Sequence, residues 1–153
     1  MKYVNTGVVF QEIPDEVTLS INISNCPCHC KGCHSKYLWE DIGEPLTAMT
    51  LTKMLDEYSG EITCICFMGG DGEAAVVNSL AHWLRMAYPD IHVGWYSGRK
   101  ELAPQIKIEN FDYIKLGPYI ESSGGLNKKT TNQRMYKIEE GAMRDITNRF
   151  WKK

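Results

Sequence analysis

A chain of 153 residues, 43% hydrophobic and 24% charged, is sized for one domain (residues 1–153) that buries a core without staples. A formal charge of −2 argues against a nucleic-acid binder, which would carry a basic stripe. No apolar run approaches the ~20 residues of a membrane span, and residues 1–10 lack a signal-peptide pattern. The expected setting is the cytoplasm, where thiols stay reduced.

The first predicted element is a strand, because Val17, Leu19, Ile21 and Ile23 alternate with Thr18, Ser20 and Asn22. It runs straight into four cysteines within eight residues: Cys26, Cys28, Cys30 and Cys33. A polar and aromatic stretch, residues 36–46, follows. Leu51, Met54, Leu55 and Tyr58 then share one helical face, with Thr50 as N-cap and Gly60 at the end. Residues 62–68 are an almost continuous apolar run, the mark of a strand buried on both faces. Gly69, Gly70, Asp71 and Gly72 break it. Val77, Leu80, Ala81 and Leu84 mark a second helix, stopped before Pro89. Strands follow at residues 92–96, ended by Ser97 and Gly98, and at residues 113–116, closed by Gly117 and Pro118. Between them a weaker helix around Glu101 is interrupted by Pro104. Residues 121–131, rich in Ser, Gly, Lys and Thr, read as a mobile loop. Met143, Ile146 and Phe150 suggest a last amphipathic helix.

Strands alternating with helices imply an α/β fold: a small open parallel sheet of βα units, with the cysteine loop after the first strand. Sites in such folds lie at the carboxyl ends of the strands. The glycine breaks and the cysteines fall at those ends and should converge on one mouth.

Cys26, Cys30 and Cys33 have the spacing C-x3-C-x2-C. In a reducing compartment such clusters suggest metal rather than disulfides, and thiolates favour zinc, copper(I) or iron–sulfur clusters. Three thiolates hold three corners of a cubane and leave one iron open, whereas four cysteines complete an electron-transfer cluster. The spacing alone is equally compatible with a structural zinc site, for which Cys28, His29 and His34 are near enough to supply a fourth ligand. Cys28 reads as a bystander. Cys64 and Cys66, on one face of a buried strand, read as small hydrophobes.

The cysteine motif after the first strand, with Gly69-Gly70-Asp71 after the second, resembles the radical S-adenosylmethionine (SAM) superfamily. The resemblance implies a partial barrel and a [4Fe-4S] cluster on Cys26, Cys30 and Cys33, whose open iron is chelated by SAM. Gly69 and Gly70 would admit the methionine moiety close to the backbone, and Asp71 would hold its ammonium group, with Glu73 in reserve. The superfamily's usual acid is Glu directly after the glycines, so Asp71 is a departure. A second departure is Gly32, where an aromatic often packs on the adenine. Adenine contacts then fall to His34, to the backbone of residues 32–34, or to the Trp-Tyr-Ser-Gly run at residues 95–98, which adds Ser97 to the cofactor-binding set. Trp95 and Tyr96 read equally well as ordinary core or rim aromatics.

More narrowly, the chain resembles the activating proteins of anaerobic (class III) ribonucleoside-triphosphate reductase, in a short form. The segments that carry this are residues 5–14, Gly-Cys-His-Ser at 32–35 with Leu38 and Trp39, Phe67 to Asp71, residues 95–98, Gly-Pro-Tyr at 117–119 and Thr-Asn-Gln-Arg at 131–134. The resemblance implies reductive cleavage of SAM to a 5′-deoxyadenosyl radical, which abstracts a glycine α-hydrogen on the large reductase subunit. A small donor such as flavodoxin would supply the electron. Lys128, Lys129 and Arg134 are then candidate docking residues. An activase of another glycyl-radical enzyme or a 7-carboxy-7-deazaguanine synthase-like enzyme would share the cluster and loop. A zinc-stabilised interaction domain is the alternative of another class.

Overall fold

The computed structural model describes residues 1–30 and 36–151. The alternating run near the N-terminus forms strand β2 (Thr18–Ile23), preceded by β1 (Lys2–Val9). A two-residue strand, β3 (Glu44–Pro45), leads to helix α1 (Ala48–Glu57). Strand β4 (Cys64–Met68), helix α2 (Ala74–Ala87) and strands β5 (His92–Tyr96) and β6 (Tyr113–Leu116) follow. The chain ends in β7 (Arg134–Glu139), β8 (Ala142–Asp145) and a turn of 3-10 helix at Thr147–Phe150.

All eight strands belong to one sheet in the order β3-β1-β2-β4-β5-β6-β7-β8. The central four are parallel, as the βα alternation predicts. The flanks correct the expectation of a parallel sheet. On one side β1 pairs antiparallel with β2 and β3; on the other β7 and β8 form an antiparallel hairpin against β6. The sheet is therefore mixed and open, with β3 and β8 as its edges.

Three local expectations change as well. The C-terminal helix is absent: Glu140 and Gly141 both take positive φ (51° and 76°), the two-residue turn that joins β7 to β8. Residues around Glu101 form bends and turns, and between β5 and β6 the one helical turn is a 3-10 turn at Ile108–Asn110. Helix α1 is capped by Thr47, not Thr50. The two make a reciprocal capping box in which each hydroxyl accepts the other's backbone N–H, at 3.2 and 3.1 Å.

Both faces of the sheet are covered. On one face Leu19, Ile21, Ile65, Phe67, Val93, Trp95 and Ile114 pack under α1 and α2. The other carries Ile13, Cys64, Cys66, Tyr113, Leu126, Met135 and Ile146 under loop segments rather than helices. Cys64 and Cys66 are fully buried there, and burial pushes both thiols up, so the small-hydrophobe reading holds. Among the described residues, no helix is long and apolar enough to cross a membrane.

Candidate functional site

Strand β2 ends at Ile23, and the chain turns at Asn25, whose φ is +59°. Two backbone hydrogen bonds, Asn25 N–H to Glu40 O (2.9 Å) and Cys26 N–H to Leu38 O (2.8 Å), close the stem of the cysteine loop. His29 (φ +44°) stacks on Trp39 with ring centroids 4.6 Å apart, pinning the ascending limb to the returning 3-10 turn at Lys36–Trp39. Cys26, Cys28 and Cys30 are half-buried free thiols. Cys33, Gly32 and His34 lie outside the described residues. Among the described residues no three His, Cys, Asp or Glu side chains converge as one metal site.

The end of β4 meets this loop. Gly69 and Gly70 have φ of +112° and +91°, a region glycine enters without steric cost. A Cβ on Gly70 would also lie 2.6 Å from a Val77 methyl group. Asp71, 9% exposed, is turned inward. Its Oδ1 accepts the Ser97 hydroxyl (2.5 Å); its Oδ2 accepts Gly98 N–H (2.8 Å) and faces the Cys28 thiol at 3.5 Å. Gly98 makes that approach feasible, since a Cβ there would stand 2.8 Å from the Cys28 sulfur. Glu73 points elsewhere: it pairs with the amino group of Met1 at 3.2 Å.

A cavity of about 140 Å³ sits among Cys26, Leu38, Trp39, Gly69, Asp71 and Tyr96. Of the candidate residues, Cys26, Gly69, Gly70, Asp71, Ser97 and Gly98 thus gather at the carboxyl ends of β2, β4 and β5. Trp95 does not join them. It is buried on the helical face, tilted against Phe111, and its indole N–H supports Gly69 O at 2.7 Å. Tyr96, on the opposite face, lines both this cavity and a larger one of about 720 Å³ bounded by Phe10, Glu12 and Phe150.

One site residue escapes the sequence reading, and another, Cys28, reads there as a bystander. The neighbouring Cys28 thiol and the backbone N–H groups of Cys28 and His29 lower the Cys26 thiol against the opposing effect of burial. The Cys28 thiol is correspondingly raised. The residue that escapes is Lys115, buried at the end of β6, whose ammonium donates to Ser97 O (3.0 Å) and Gly117 O (2.8 Å). Nothing in its strand pattern, Tyr-Ile-Lys-Leu, separates it from a surface lysine.

The donor set suits an iron–sulfur cluster. The lowering of the Cys26 thiol favours the thiolate, the form that binds iron. The buried Trp39 Nε1–H has no acceptor among the described residues, and N–H donors to cluster sulfurs are a common means of tuning such centres. Independently, a family model described as "4Fe-4S single cluster domain" matches residues 16–138, well over half of the chain. No curated protein and no solved structure matches. The chain belongs to the 4Fe-4S single cluster domain family, which decides between zinc and cluster where the cysteine spacing could not.

Proposed function

We propose that the protein is a radical SAM enzyme that activates a glycyl-radical enzyme, its substrate being the large subunit of anaerobic ribonucleoside-triphosphate reductase. The observation that carries this reading is the Asp71 carboxylate, held by Ser97 and Gly98 against the cysteine loop and directly following two left-handed glycines. A cluster that only carries electrons has no use for such an acid. A cofactor whose amino and carboxylate groups chelate an open iron does, because a carboxylate can accept from the amino N–H groups.

Cys26, Cys30 and Cys33 would hold the cluster, and the proposed family geometry is the partial barrel. With the reduced cluster and SAM bound, the chemistry supplied is homolysis of SAM to methionine and a 5′-deoxyadenosyl radical that takes the glycine α-hydrogen. The chain binds, orients and excludes water. Gly69 and Gly70 allow the backbone to approach the methionine moiety. Asp71 would accept from its amino group; Ser97 and Gly98 fix the carboxylate, which retains free lone pairs beyond the three contacts it accepts. Leu38 and Trp39 line the cavity. A small donor such as flavodoxin would supply the electron.

The test is anaerobic reconstitution with iron and sulfide, then incubation with SAM and dithionite. The expected products are methionine and 5′-deoxyadenosine, with a glycyl radical seen by electron paramagnetic resonance when the reductase is added. Cys30→Ala should abolish both the cluster absorbance and SAM cleavage. A fully loaded wild-type cluster that leaves SAM intact would sink the proposal; SAM cleavage without a radical on the reductase would redirect it to another substrate.

A further inference from the structure

Lys115 is 7% exposed, and among the described residues no carboxylate lies within ion-pair reach of it. A buried ammonium whose direct partners are neutral carbonyls is costly, and it is compensated by negative charge at the site, of which the Asp71 carboxylate, bonded to the same Ser97, is one source. Its position says where that charge lies. Lys115 stands in register with Tyr96 on the sheet face opposite the helices, and its Nζ lies 5.6 Å over the Tyr96 ring. Tyr96 lines the cavity that holds Cys26 and Asp71. The two carbonyls it binds belong to the ends of β5 and β6, and the same Ser97 that accepts from Lys115 donates its hydroxyl to Asp71. Burial lowers the Lys115 ammonium to about 8, while Asp71, Cys30, Cys28 and Cys26 pull it upward, so it stays charged at neutral pH.

We propose that Lys115 is the built-in counter-ion of the iron–sulfur cluster, a positioning residue whose buried charge raises the cluster's reduction potential. Reduction transfers one electron to the cluster, with no bond or proton exchanged, and adds one negative charge at the mouth of the sheet, where Lys115 buries a positive one against Ser97 and Tyr96. In a low-dielectric setting that charge stabilises the reduced form selectively. The inference rests on the cluster binding at the cysteine loop and is independent of what the reduced cluster then does.

The experiment is a dithionite-mediated redox titration of the reconstituted protein without SAM or reductase, followed by visible absorbance and electron paramagnetic resonance. Iron and sulfide are counted first and the fold is checked by far-ultraviolet circular dichroism. Lys115→Met should lower the reduced-to-oxidised ratio at a fixed potential roughly tenfold, which for a one-electron couple is about 59 mV more negative. Lys115→Arg, which keeps the charge, should titrate with the wild type. Lys115→Gln, which keeps donors without charge, should follow the Met variant. A fully loaded Met or Gln variant with the wild-type midpoint overturns the proposal, as does an Arg variant shifted as far as Met. Loss of the fold in both uncharged apoproteins would assign Lys115 to structure and equally overturn it.

Discussion

At the scale of single residues, the acid loop and the buried lysine behave very differently as sequence signals. Asp71 was legible because two glycines precede it and a strand end precedes them, a context that singles out backbone needing positive φ. Its partners were only partly so: Ser97 entered as a strand-end residue, whereas the hydrogen bond that joins it to Asp71 spans 26 positions. Asp71→Asn tests the role. It preserves the shape but removes the charge that would face the amino group, so the cluster should load fully while SAM affinity falls roughly tenfold or more. SAM-induced change in the cluster's paramagnetic signal measures it; unaltered affinity would return the site to Glu73.

Lys115 offers a second residue-scale test, in the apoprotein and with a defined sign. Its folded pKa, about 8, is depressed from 10.5, so between these values the unfolded chain binds the extra proton. Stability contributed at this position must therefore rise as pH climbs from about 8 towards 10.5, because deprotonation relieves the buried charge. Urea unfolding of wild type and Lys115→Met across that window should show a steeper climb for the wild type. Parallel curves would mean that the lysine is not buried as a cation.

At the scale of elements, the central strands were readable and the flanking ones were not, for a physical reason. Strands β2, β4 and β6 are buried almost throughout, so their sequences are apolar runs or clean alternations. Strand β1 is intermediate at nearly every position and β8 mostly exposed, so neither carries a hydrophobic period. Their existence depends on pairing partners, and β3 has only two residues. The same logic explains the missing helix near the C-terminus. Met143, Ile146 and Phe150 have helical spacing, but Glu140-Gly141 provides a tight turn, and the hairpin lets β7 satisfy the free edge of β6. Thr47 shows a local rule misread by one turn's start: both threonines are N-cap types, and only their reciprocal bonding identifies the first as the cap. Thr47→Ala should cost ~1 kcal/mol in chemical denaturation. A loss near zero would assign the capping to other groups.

At the scale of the whole molecule, the proposed activase role requires a protein-sized substrate to reach the mouth of the sheet. The stretch at residues 121–131 is turn-rich and tied to itself: the Thr130 hydroxyl donates to Ser123 O at 2.6 Å and Thr131 to Gly124 O at 3.1 Å. These bonds leave Lys128 and Lys129 exposed and outside any ion pair among the described residues, whereas Arg134 is committed to Asp145. The two lysines are therefore the basic residues of the proposed docking surface without an ion pair among the described residues. In a chain of net charge −2, a fixed basic turn is suited to an acidic patch on the partner. Lys128→Ala with Lys129→Ala should weaken binding to the reductase large subunit roughly fivefold at low salt, with the difference shrinking as ionic strength rises. Cluster content and SAM cleavage in the absence of reductase should not change, because neither lysine touches the site. Calorimetry at two salt concentrations separates the outcomes: an affinity unchanged at low salt removes this loop from the interface, and a loss independent of salt would mean that the lysines contribute packing rather than charge.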